Sequence, residues 1–164
     1  MNTTKSLSKR VLDMLNGRTL ATAESLTGGG IGAALTAVPG SSAVYKGGIV
    51  SYTDEIKREI LCVPAEWLEK YGAVSPWVAM EMASGVRGLL HTDVAVSVTG
   101  LAGPGGDDYG HPVGTVYIAY EDRQRNGVHH YRFEGDREAV RQQTIEAALK
   151  LILLYNEQQK STEA

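Results

Sequence analysis

The sequence predicts a single α/β domain with three layers, helices covering both faces of a mixed sheet. Two observations carry that prediction. Strand-like and helix-like stretches alternate through the first hundred residues, the pattern of an α/β chain. A hairpin pattern and one long helical stripe follow, and the hairpin brings antiparallel strands into the sheet. The length, 164 residues, suits one such domain with a core large enough to need no staples.

Each element has a local reason. Leu7, Val11, Leu12 and Leu15 recur at helical spacing, and Asn16-Gly17 ends that helix. Residues 19–23 read as a short strand running into Glu24-Ser25-Leu26-Thr27-Gly28-Gly29-Gly30, with an apolar helix over 31–38. Residues 43–52 read as a strand whose Gly47-Gly48 marks a bulge or a close backbone approach. Thr53-Asp54 caps a helix over 55–61. Pro64 opens a helix to Tyr71, and Ser75-Pro76 opens a longer one over 77–91. Residues 93–99 form a strand through Val94, Val96 and Val98, and the glycine-rich stretch 100–110 is a loop. Strands over 113–121 and 128–133 pair as a hairpin, with Asn126-Gly127 expected as its turn. Residues 136 to about 159 form the last helix, striped by Val140, Ile145, Ala148, Leu149 and Ile152. The core is expected over about 6–153, with a frayed tail at 160–164.

Composition narrows the functional classes. The formal net charge is −3 and the pI about 5.8, so the chain carries no nucleic-acid footprint. No apolar run is long enough to span a bilayer and no signal-peptide core opens the chain, which makes a reducing cytoplasm the simplest compartment. The single cysteine excludes an intrachain disulfide and a multi-cysteine metal site. Following Ile60 and Leu61, Cys62 is expected to be a buried structural thiol.

Three polar clusters fall at strand ends, where α/β sheets build their sites. They are 24–29, 51–57 and 98–106. None matches a phosphate loop or a dinucleotide fingerprint, and Ser25 is not in a hydrolase nucleophile elbow. On local signal Ser25 reads as a helix cap, and Lys57 as a solvated charge on a helix face. His129 and His130 point to opposite faces of one strand, and His91 ends a helix. His111 lies in the glycine-rich loop, where Asp107-Asp108 would solvate the tip. The scattered carboxylates and histidines argue for no metal site.

Taken together, the segments "TAESLTGGGIGAALTAVPGSSAVYKGGIVSYTDEIKREILCV", "YGAVS", "SVTGLAGPGG", "HPVGTVYIA" and "GDREAVRQQTIEAAL" resemble the C-terminal domain of the CinA proteins. The resemblance runs from about residue 6 to 153, with the segments in the family's order. It implies a three-layer fold and, as in the family's stand-alone members, hydrolysis of nicotinamide mononucleotide to nicotinate mononucleotide and ammonia. It implies neither metal nor cofactor, a small-molecule nucleotide as substrate, no nucleic-acid or membrane partner, and a homodimer. The N-terminal hydrolase domain of full-length members is expected to be absent, because the chain starts only a few residues before the match.

The family's catalytic serine and lysine fall on Ser25 and Lys57, and its active site also uses the positions of Tyr52 and Thr99. A serine hydroxyl needs a base, and a desolvated lysine can supply one. Backbone amides near Thr27, Gly28 and Gly29 are the candidates for an oxyanion hole. For a 5′-phosphate, the loop with Gly100, Gly103 and Gly105 would supply amides, and Arg137 or Arg141 the positive charge. The family's functional arginine is placed at Arg141. Tyr52 is expected to bond Ser25 or Lys57, or to cover the site.

Two departures from the family's pattern stand out: Leu26 for its usual Cys, and Thr53-Asp54 for its usual Ser-Asn. Leu26 replaces a residue that packs. Asp54 lies three residues before Lys57 on the same helix side and would raise its pKa. A catalytically silent pyridine-nucleotide-binding homologue is therefore the alternative to an enzyme. A DNA-associated role has only the family's name behind it.

Overall fold

The computed structural model describes residues 2–163, with side chains through residue 157. Its elements follow the chain as α1 (Thr3–Met14), β1 (Leu20–Glu24), α2 (Gly30–Thr36), β2 (Tyr45–Val50) and α3 (Asp54–Glu59). Then come α4 (Ala65–Tyr71), α5 (Pro76–Leu90), β3 (Val94–Gly100), β4 (Thr115–Glu121), β5 (Asn126–Arg132) and α6 (Arg137–Glu163). A single 3₁₀ turn, Ser41–Ala43, precedes β2. The last helix continues past its expected end near 159, and Ala164 lies outside the described residues.

The five strands lie in the order β2-β1-β3-β4-β5. The first three are parallel, while β3–β4 and β4–β5 are antiparallel, so the sheet is mixed as expected. Helices α1, α2 and α6 pack on one face and α5, backed by α4, on the other. The pleat divides β1 and β3 accordingly. Leu20, Val94, Val96 and Val98 join the core under α1, α2 and α6, with Val140, Leu149 and Ile152 of the predicted α6 stripe. Ala21, Ala23 and Ala95 face α5, whose Val78, Met82 and Val86 fill the shallow surface that the alanines leave.

Two local expectations meet corrections, and a third holds. Asn126-Gly127 is not the hairpin turn: Asn126 pairs with Glu121 and Gly127 with Tyr120, inside the ladder. The turn is 122–125, closed by the Asp122 carboxylate, which accepts from the amides of Gln124 (2.8 Å) and Arg125 (2.7 Å). Gly127 is small for another reason, since a Cβ there would overlap the Tyr155 hydroxyl. Cys62 is exposed rather than buried. Leu61 and Val63 on either side each fill the core at 1 % exposure, and the left-handed backbone at Cys62 (φ 60°) turns the residue between them outward. The Gly47-Gly48 signal reflects both readings: the β1–β2 register shifts between Leu20 and Ala21, and a Cβ on Gly48 would overlap Thr22 Oγ1.

Candidate active site

The site forms where the parallel strands end. β1 is buried along its whole length between β2 and β3, so its backbone is fully paired until it leaves the sheet. Ser25 follows directly, its amide still donating to the Val98 carbonyl at 3.1 Å. The turn then passes through Gly28 and Gly29, both at positive φ (59° and 98°), into α2.

Glu24 organises that turn, and the sequence reading passed over it. Its carboxylate is 2 % exposed. Oε1 accepts from Thr27 Oγ1 at 2.6 Å and from the Ile31 amide at 2.9 Å, and Oε2 from the Gly32 amide at 3.1 Å. First-turn helix amides have no partner within the helix and favour negative charge. Glu24, not Ser25, therefore caps α2. The available signal was a carboxylate ending an otherwise apolar strand just before a glycine cluster.

The second component comes from β2 and α3. At the end of β2 the chain turns so that Ser51 donates its amide to the Glu24 carbonyl at 2.8 Å, with its hydroxyl at 3.2 Å from the same oxygen. Thr53 Oγ1 caps α3 by accepting from the Ile56 amide at 3.3 Å. Lys57 falls on the inward side of this short helix. It is 1 % exposed, so the local reading of a solvated charge does not hold. Lys57 Nζ donates to the Ser51 carbonyl at 2.8 Å and to Ser25 Oγ at 3.0 Å. Burial pushes the lysine down to about 8, and the Asp54 carboxylate pulls the other way with the smaller effect. The expectation for Asp54 thus has the right direction, but desolvation outweighs it.

Around this pair opens a cleft of about 470 Å³, lined by Ser25, Tyr52, Asp54, Lys57, Thr99 and, from the loop, residues 100–101 and 106–109. Thr99 donates its hydroxyl proton to the Ala73 carbonyl at 2.8 Å. The Tyr52 hydroxyl meets neither Ser25 nor Lys57; it accepts from Arg137 Nη2 at 2.9 Å. Arg137 also donates to the Gly103 carbonyl at 2.6 Å, and so ties the glycine-rich loop to Tyr52 at the rim. Gly100 ends β3 opposite Val116 and lines the cleft, while Gly105 is exposed on the loop.

Other candidates are drawn elsewhere. Arg141 lies behind the serine turn, donating to the carbonyls of Leu26 (2.9 Å) and Thr27 (3.1 Å). The Thr27 side chain turns inward to Glu24, and the Gly28 amide is committed to the Ser25 carbonyl at 3.0 Å. That leaves the amides of Leu26, Thr27 and Gly29 without a partner among the described residues. Leu26 itself packs in the core. Asp107 does not solvate the loop tip: it closes the loop through the amides of Tyr109 and His111 and the His111 ring at 2.6 Å. His129 bonds the Tyr155 hydroxyl and His130 stacks on Tyr117, both away from the cleft. No group of three or more His, Cys, Asp or Glu among the described residues is placed to hold a metal ion. No helix among them is long and apolar enough to cross a membrane. A larger cavity of about 680 Å³ sits between α1 and the segment after α2, but its lining, which includes Lys5, Lys9 and Asp13, holds no serine, threonine, cysteine or histidine.

Comparison with known proteins supplies context for this geometry. Residues 4–155 match the model of the CinA C-terminal domain. A CinA-like protein of Parasynechococcus marenigrum is 49% identical over 152 residues, covering 90% of this chain and 36% of that protein. A CinA-like protein of Citrifermentans bemidjiense is 47% identical over 147 residues, with shares of 90% and 36%. The chain thus spans about a third of the length of these relatives. Among solved structures, a CinA superfamily protein from Klebsiella pneumoniae superposes with a TM-score of 0.93 at 39% identity, covering 96% of this chain and 99% of that one. The competence/damage inducible protein CihA from Agrobacterium tumefaciens gives 0.91 at 38% identity, covering 95% and 97%.

Proposed function

We propose a function from one premise: the chain belongs to the CinA C-terminal domain family. The reading is an amide hydrolase that converts the carboxamide of nicotinamide mononucleotide to the carboxylate, releasing ammonia. The observation that carries it is a buried lysine amine 3.0 Å from a serine hydroxyl, with its pKa held down to about 8. At pH 7 about a tenth of such a lysine is neutral, against well under a thousandth for an ordinary one.

In this mechanism neutral Lys57 takes the Ser25 proton as Oγ attacks the carboxamide carbon. The carbonyl π electrons move onto oxygen, where the unpartnered amides of Leu26, Thr27 and Gly29 are the candidate donors. Collapse breaks the C–N bond, and the Lys57 ammonium returns its proton to the leaving nitrogen as ammonia. A water then attacks the acyl ester, Lys57 accepts its proton, and Ser25 leaves as the restored hydroxyl. The Ser51 carbonyl holds the amine in place throughout. Arg137, at the rim, is the favoured partner for the 5′-phosphate, because Arg141 is committed to the serine turn.

Ammonia release from nicotinamide mononucleotide by the wild type, Ser25→Ala and Lys57→Ala tests this reading. The expected result is release by the wild type and none by either variant; equal rates in all three overturn it. Asp54, which works against a neutral Lys57, supports a second reading, a silent pyridine-nucleotide-binding homologue. That reading predicts calorimetric binding with no product on long incubation.

A further inference from the structure

We propose that Asp54 selects for charge: it makes the cleft prefer an amide carried on a cationic ring, a pyridinium, over the same amide on a neutral ring. The proposal rests on the amidase reading for its reacting group, and on the layout of charge in the cleft for its selectivity. Asp54 lines the same cleft as Ser25 and Lys57. Its carboxylate makes no hydrogen bond or ion pair among the described residues. Asp107, by contrast, is committed to His111 and two loop amides. Among charged groups lining the cleft, Asp54, Asp107 and Asp108 face one amine, Lys57. An excess of negative charge along a cleft raises the local concentration of cations.

The remaining lining suits the same guest. Tyr52 and Tyr109 offer aromatic rings, which attract a cation at their faces. At the rim Arg137 donates to the Tyr52 hydroxyl from outside the lining. A molecule with a cationic ring at one end and a phosphate at the other therefore meets opposite charges in the order it needs them. Docking a cation against Asp54 has a further consequence for the reaction. It offsets the carboxylate that favours the lysine ammonium, and places a like charge near Lys57, so the neutral base becomes easier to form.

The test is calorimetry on Ser25→Ala protein with two ligands: nicotinamide mononucleotide, and its neutral C-nucleoside phosphate analogue carrying benzamide. Adding Asp54→Asn is expected to weaken the pyridinium ligand about three- to tenfold and leave the neutral analogue nearly unchanged. Adding Asp54→Glu, which keeps the charge, should retain the preference. No change for either ligand, equal weakening of both, or greater weakening of the neutral analogue overturns the proposal. Wild-type ammonia release reads the amidase separately. Charge-selective binding without ammonia overturns the amidase reading alone, and ammonia release without charge selection overturns only the role of Asp54.

Discussion

Glu24 and Thr27 are joined by a 2.6 Å hydrogen bond between a buried carboxylate and a buried hydroxyl, on either side of Ser25. The same carboxylate caps α2, so the turn bearing the serine is clamped to the helix that follows it. Thr27→Val removes the hydroxyl and keeps the shape. It should cost about 1–2 kcal/mol in denaturant unfolding, since Glu24 Oε1 retains the Ile31 amide. Turnover should fall with the substrate's KM little changed, because the clamp orients Ser25 and does not line the cleft. An undiminished kcat would count against the clamp.

With Lys57 as the proposed base, the activity should depend on pH. The base form of Lys57 is the lower-proton form, so the rate should climb with pH through a midpoint of about 8. Asp54→Asn removes the charge that favours the ammonium, and the midpoint of kcat/KM should move down. A profile flat between pH 6 and 9 would argue against lysine as the base.

The same burial has a stability signature of known sign. Lys57 falls from the ordinary lysine value of 10.5 to about 8 on folding. Below pH 8 the lysine is protonated in both states, and the folded protein bears the full penalty of burying it. Between about 8 and 10.5 the unfolded chain binds the extra proton, so stability rises with pH. Chemical denaturation of the wild type and Lys57→Met should therefore diverge in the wild type's favour across that window, by up to about 3 kcal/mol. A constant difference would mean that Lys57 is not desolvated.

Arg137 joins Tyr52 to the Gly103 carbonyl at the rim. Arg137→Ala should raise KM for nicotinamide mononucleotide about tenfold and leave that for the riboside nearly unchanged, since only the former carries the phosphate. Steady-state kinetics on the two substrates measure the difference.

Gly127 sits beneath the Tyr155 hydroxyl. Gly127→Ala should destabilise the fold by about 1–3 kcal/mol through overpacking, with ammonia release per folded molecule unchanged. Thermal unfolding with an activity assay separates the two effects.

Much of the architecture is legible along the chain because its causes are local. Helical spacing at Leu7–Leu15, the cap at Ser75-Pro76, and alternation at Val94, Val96 and Val98 each act within a few residues. The errors fall where a neighbour distant in sequence decides. Asn126-Gly127 has strong turn chemistry, yet Asp122 closes the hairpin four residues earlier and Tyr155 requires the small residue. Cys62 follows two apolar residues but lies between the two side chains that take the core.

The sequence by itself determined that the chain is an α/β domain with polar clusters at its strand ends, and it singled out Ser25 and Lys57 as a pair through their resemblance to one family. Only the tertiary structure decided that the two residues meet. The parallel register pairs Glu24 with Val50, and Ser51 then bonds the Glu24 carbonyl and turns its own carbonyl oxygen to Lys57. In the six-residue stretch of α3, with charges on both sides, nothing local marks Lys57 as buried. Its depressed pKa arises from water excluded by segments far away in sequence, and desolvation is a property of the folded surroundings rather than of the residue.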